Sequence, residues 1–192
     1  MKKIVLASAS PRRKEILEQF GLSFEVKQGN IEEKINPEEK PEQIAMSLAF
    51  EKAIAVAKNC KKGEIIIAAD TIVVKNKILG KPKDSKEAFS MLKFLQDDIH
   101  HVITGFAVIE AGTYNKFVSF EKTKVKMKQL TDDAINRYID TGEVWDKAGS
   151  YGIQGKGAAL IEWIHGDYFN VVGLPISRIQ SIFSEHFNFE FV

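Results

Sequence analysis

A mixed α/β fold is what this sequence predicts, and three observations predict it. Strand-like and helix-like segments alternate from the first residues onward. An apolar run from Glu64 to Val74 (EIIIAADTIVV) reads as a central strand. Two further strand-like segments, His101 to Ala111 and Lys116 to Met127, follow one another directly and alternate well enough to pair antiparallel. The expected sheet is therefore mixed rather than purely parallel, twisted, and flanked by helices.

Taken in order, the opening stretch KKIVLASASPRRKEIL (Lys2 to Leu17) reads as a short buried strand at Ile4 to Ala7, a small-residue turn and a helix. Ser10 suits the N-cap and Pro11 the first helical position, since each answers an orphan backbone donor. Phe24 to Val26 is a second strand. The polar segment GNIEEKINPEEKPEQ is a surface loop whose Glu32 and Glu33 are either solvated charges or part of a site rim. Pro41 to Ala57 is a helix with apolar residues almost all the way round, so it is expected to be largely buried. Asn76-Lys77 turns the chain into Ile78 and Leu79, and in the following GKPKD loop Gly80 and Pro82 hold Lys81 on a constrained backbone. Asp84-Ser85 starts a helix running to Leu95, and Thr131-Asp132-Asp133 opens another that runs to Ile139. Glycines 142, 149, 152, 155, 157, 166 and 173 mark close backbone approaches rather than a repeat. Ser177 to Phe187 is an amphipathic packing helix.

A chain of 192 residues suffices for one well-packed domain, spanning 1–192, or two intimate lobes. Hydrophobic residues make up 44% and charged residues 28%, the balance of a soluble globular protein. With 27 basic and 26 acidic residues, no global field draws the chain to nucleic acid or membrane, so any affinity for anions has to be local. Cys60 is the single cysteine and cannot close an intramolecular disulfide, which fits a reducing, cytoplasmic setting; it reads as structural. The apolar run after Lys2 and Lys3 ends too soon for a signal peptide, and none approaches a membrane span.

The chemistry concentrates in a few charged positions. Arg12 and Arg13 put two positive charges in the first turn of a helix, against its dipole. An anion there would gather backbone N–H groups, both guanidinium groups and the hydroxyls of Ser8 and Ser10; the plainer alternative is a solvated basic helix start. Lys52 falls in the apolar arc between Leu48 and Val56, either snorkelling to the surface or lining a cleft. Asp70 interrupts the most apolar strand, where a carboxylate is costly unless paired or metal-bound; its place is where the strand meets a cleft, with turn-capping as the structural alternative. The glycine-rich region 149–157 has neither the Walker nor the Rossmann spacing, and the four histidines lack zinc-site spacing. Cations around one carboxylate suit cleavage of a phosphate ester or anhydride, with a divalent ion such as Mg²⁺ shared between protein and phosphates.

The motifs LASASPRRKEIL, IAADTIVV with GKP, HHVITG, and TGEVWDKAGSYGIQGKGAALIEWIHGDYFNVVGLP together resemble the Maf family of nucleoside triphosphate pyrophosphatases, over nearly the whole chain. The resemblance implies two lobes around a deep cleft, as in the related inosine triphosphatases. It implies hydrolysis of a nucleoside triphosphate to the monophosphate and pyrophosphate, aided by Mg²⁺ or Mn²⁺. The DKAGSYGIQG version is similar to the branch acting on dTTP and UTP. By the same match Asp70 is the proton acceptor, Arg12, Thr71 and Gln154 bear on substrate choice, and Ser8, Arg13, Lys52 and Lys81 are polar cleft residues. Glu33 and Asp70 are the candidate metal ligands, and pairing of two chains into a homodimer is compatible with such a protein. The family commonly has proline after TGE, where this chain has Val144-Trp145. Two other readings stand beside this one: a house-cleaning pyrophosphatase for altered nucleotides, and a non-catalytic regulator of septation.

Overall fold

The structure, a computed structural model, describes residues 2–29, 31, 36 and 38–191. Its strands are β1 (Ile4–Leu6), β2 (Phe24–Val26), β3 (Ile65–Lys75), β4 (Lys77–Leu79), β5 (Ile99–Glu110), β6 (Lys116–Met127) and β7 (Ile161–His165). They form one seven-stranded sheet in the order β2-β1-β3-β5-β6-β7, with β4 paired to β3. Strand β1 is parallel to both β2 and β3, whereas β3 with β4 and β6 with β7 are antiparallel, so the sheet is mixed as expected. The helices are α1 (Pro11–Gln19), α2 (Pro41–Ala57), α3 (Ser85–Leu95), α4 (Asp132–Ile139), α5 (Tyr168–Val172) and α6 (Ile176–Phe187). No helix among the described residues is long and apolar enough to cross a membrane.

The chain divides into two compact units. The first comprises Met1–Asp70, Thr104–Glu121 and Gly173–Val192. Its core includes Val5, Ile66, Ala68 and Ala107 from the sheet and Ala53 and Val56 from α2. Helix α2 buries Ile44, Ala45, Leu48, Ala49, Ala53 and Val56, consistent with its nearly all-round apolar sequence. It lies so close to β5 that a Cβ on Gly105 would come within 2.2 Å of the Ala45 carbonyl. That explains the glycine of HHVITG: any side chain there would displace the helix.

The second unit comprises Thr71–Ile103 and Lys122–Val172. Its core collects Val73 and Leu79 with the inner faces of α3 and α4. Asp84 caps α3 by accepting the Glu87 N–H (2.8 Å), and Thr131 caps α4 by accepting that of Ala134 (3.2 Å), as the sequence indicates. Ser10 is the N-cap residue of α1 but makes no side-chain cap; its own N–H instead donates to Ser8 Oγ (3.2 Å). The β3–β4 turn is made by Asn76 in the left-handed region (φ 58), with Lys77 already paired to Lys75. The predicted boundaries of β2, α2, α3 and β6 coincide with the observed ones.

Replacing Gly105 by alanine forces α2 off the strand. We expect Gly105→Ala to cost about 3 kcal/mol, a fall in Tm of about 6–12 °C for a chain of this size. Thermal unfolding measures this, and an unchanged Tm would mean that α2 does not need its close seat.

Candidate active site

In the first unit, strand alternation and helix periodicity bring one acid and one base together. Ile66 and Ala68 of β3 face the α2 cluster, and Asp70 is the next residue on that face. On α2, Lys52 lies one turn from both Leu48 and Val56. The Lys52 ammonium reaches the Asp70 carboxylate at 2.5 Å, with side-chain exposures of 21% and 13%. Lys52 is thus neither simply snorkelling nor isolated. Strand β3 continues to Lys75, so Asp70 lies within the strand rather than at its end, at the point where burial gives way after five fully covered residues.

The second meeting point is at the start of α1. The Arg13 Nε donates to the Gly173 carbonyl (2.8 Å) and a terminal nitrogen donates to Ser8 Oγ (3.1 Å). Ser8 and Arg13 are thus in direct contact, with the GLP turn as an unforeseen third party, while the Ser10 hydroxyl does not cap the helix. Arg12 is half-buried beside them in sequence, and the first turn of α1 carries no acidic residue to offset the two charges. Glu33 lies outside the described residues. Among those that are described, no group of three or more His, Cys, Asp or Glu side chains could hold a metal ion.

In the second unit, Thr71 follows Asp70 on β3 and is half-buried, addressing the opposite face of the strand. Lys81 is exposed and, among the described residues, forms no ion pair; the Gly80 carbonyl before it accepts the Gly149 N–H (3.0 Å). That bond ties the Lys81 loop to the stretch leading to Gln154. Gln154 is half-buried and immediately precedes a 3₁₀ turn, Gly155–Leu160. Its side-chain amide does not cap that turn. The departure at Val144-Trp145 is absorbed: Val144 is fully buried in the core of this unit, and Trp145 is 44% exposed.

The sequence model of a protein family described as Maf-like protein matches residues 3–186. The chain belongs to the Maf-like family. A relative from Alkaliphilus oremlandii (strain OhILAs), named dTTP/UTP pyrophosphatase, is 53% identical over 188 residues, covering 98% of each chain. One of the same name from Clostridioides difficile (strain 630) is 48% identical, covering 96% of this chain and 95% of the relative. Among solved structures, a HAM1 protein from Coxiella burnetii has a TM-score of 0.53 at 16% identity, covering 84% of this chain and 81% of its own. At that identity the likeness is one of fold.

Three groups in this Maf-like chain were not singled out from sequence. Glu143 accepts hydrogen bonds from the backbone of Lys156 and Gly157. Asn170 donates to the Val102 carbonyl (3.1 Å) and to Thr123 Oγ1 (2.9 Å), pinning the GDYFN turn to β5 and β6. Buried His100 shares a hydrogen bond between its Nε2 and the Tyr151 hydroxyl (2.5 Å). Only the Asp167 cap of the GDYFN turn, which accepts the Asn170 N–H (2.8 Å), leaves a recognisable local signal. The others join residues far apart in sequence.

Burial lowers the His100 imidazole from 6.5 to about 4; Lys75 and His101 add to this and Asp98 opposes it. Burial pushes the Tyr151 phenol up. Below about pH 6.5 the unfolded chain takes a proton that the folded chain refuses. Stability therefore falls as pH drops from about 6.5 towards 4, by about 3 kcal/mol in total, and levels off below. We expect the stability difference between pH 7 and pH 4.5, read from denaturant midpoints, to be smaller in His100→Asn by about 2–3 kcal/mol. An equal difference in both proteins would remove His100 from the pH response.

Proposed function

We propose that the chain is a nucleoside triphosphate pyrophosphatase that hydrolyses dTTP and UTP to the monophosphate and pyrophosphate, with Asp70 as general base. The observation that carries this reading is the end-to-end similarity to relatives named dTTP/UTP pyrophosphatase. The Lys52–Asp70 pair supplies a chemistry for it. Asp70 accepts a proton from the attacking water as the water oxygen adds to the α-phosphorus, and the bond from that phosphorus to the bridging oxygen breaks, so that this oxygen leaves with pyrophosphate. Lys52 orients the carboxylate and shares its charge with phosphate oxygens. Ser8, Arg12, Arg13 and Lys81 hold the remaining phosphate charge. Thr71 and Gln154 contact the nucleoside. A preference for altered purines has no comparable support, because these relatives are named for dTTP and UTP and the HAM1 likeness is one of fold.

A divalent cation fits this donor set in one way. A single hard carboxylate, Asp70, cannot cage an ion, but Mg²⁺ is commonly held by one or two carboxylates with phosphates and water completing its shell. Asp70 would be the protein ligand, and the bound ion would neutralise triphosphate charge. Cys60, half-buried with a thiol that burial pushes up, suits a reducing cytoplasm.

A nucleotide panel with Mg²⁺ or Mn²⁺, read by pyrophosphate release, tests the reading. UTP and dTTP are expected to exceed ATP and GTP in kcat/KM by about a hundredfold or more; a preference for inosine or other altered purine triphosphates would overturn it. Asp70→Asn keeps the shape and removes the base, so kcat is expected to fall by about 10²–10⁴ while nucleotide still binds. Recovery of the full rate at high Mg²⁺ would leave Asp70 with the metal-holding role alone and remove it as the base.

A further inference from the structure

Gln154 is the residue assigned to the base, yet its side chain is held by no described neighbour; what is held is its backbone. The turn after α4 carries Glu143, whose N–H donates to Thr141 Oγ1 (3.3 Å) and whose carbonyl accepts from Lys147 Nζ (2.5 Å). This fixes the start of the side chain. Its carboxylate then accepts the Lys156 N–H (3.1 Å) and the Gly157 N–H (3.3 Å), one on each oxygen. These are early backbone donors of the 3₁₀ turn that begins directly after Gln154, groups with no partner inside the turn itself. A carboxylate satisfies both with charge-assisted bonds.

Gly155 is part of the same device. It adopts φ +64, and a Cβ there would come within 2.9 Å of the Glu143 carboxylate. Behind Gln154, the chain is tethered by the Tyr151–His100 hydrogen bond and by the Gly149 N–H on the Gly80 carbonyl. The backbone at 154 is thus gripped from both directions; on the C-terminal side Glu143 holds the first donors of the turn, while Lys128 Nζ donates to the Ala159 carbonyl at its far end (3.0 Å).

We propose that Glu143 is a positioning residue for nucleobase selection, acting through Gln154 by clamping the two amides that follow it. The proposal rests on the reading of Gln154 as the residue that contacts the base. A carboxylate lost from this clamp lets the turn relax, and a shift of about 1 Å in a positioning group can cost two decades in rate. Glu143 itself touches no substrate in this account. Its removal should weaken recognition of the base and leave recognition of the phosphates intact.

The test uses the full chain, with UTP as substrate and inorganic triphosphate, which has no base, as competitive inhibitor. Glu143→Gln retains size but offers one acceptor where two are needed. It is expected to lower kcat/KM for UTP by about tenfold, mainly through KM, and to leave the Ki of inorganic triphosphate within about twofold. In a Gln154→Ala background the same substitution should cost almost nothing further, because residues acting as a unit are non-additive. Gly155→Ala, which pushes the carboxylate away, should repeat the pattern and stands in if Glu143→Gln does not fold. Equal losses on UTP and inorganic triphosphate would make Glu143 merely structural and overturn the proposal. A full tenfold loss persisting without Gln154 would overturn it as well. If Gln154→Ala alone leaves UTP kinetics unchanged, the assignment of Gln154 to the base fails, and the clamp's role in selection fails with it.

Discussion

The close seat of α2 on the sheet is the constraint on which the first unit depends. Gly105 has no side chain, and the Ala45 backbone occupies the space one would need. Alanines at 45, 49 and 53 keep the rest of that helix face shallow, and all three are fully buried. A helix held this near a strand brings even a residue on its flank within reach of the sheet. That is why Lys52 meets Asp70 directly, although both are largely screened from water. Taking either charge alone into such surroundings would cost several kcal/mol; together, with partial solvent access, the cost is offset in part by their attraction. The pair gives little net stability, which is consistent with a role in chemistry rather than in holding the fold.

A comparable economy governs the start of α1. Two arginines in a first turn oppose the helix dipole. In the structure one of them, Arg13, donates to the Gly173 carbonyl and to the Ser8 hydroxyl. Because the carbonyl belongs to Gly173, the start of α1 is fastened to the GLP turn, 160 positions further along the chain.

The second unit works differently. Its distinctive stretch, from Glu143 to Gly157, has little regular structure and is positioned by backbone donors and acceptors. Gly149 at φ 70 and Gly155 at φ 64 supply turns that side chains rarely adopt. At Gly157 a Cβ would lie 2.3 Å from the Gly152 carbonyl oxygen, so the loop folds onto itself. Conformational entropy makes such loops expensive to order, and the Glu143, Tyr151 and Gly149 contacts repay that cost at separate points.

The sequence by itself determined most elements and their ends. Helix α2 is limited by Pro41, α3 by the Asp84 cap and α4 by the Thr131 cap, because those signals act within three or four residues. The mixed sheet followed from the same local periodicities, and the motifs carried the family. Ser10 stands at the N-cap as its sequence indicates, but its hydroxyl makes no cap bond, and its own N–H donates to Ser8 Oγ two residues back. What only the tertiary structure decided are the partnerships. Lys52 with Asp70, Arg13 with Gly173, His100 with Tyr151 and Glu143 with Lys156 and Gly157 join residues 13 to 160 positions apart. No local pattern encodes which charged or polar group will face which other. That is settled when helices and strands pack, since packing sets the distances over which charges and hydrogen bonds act.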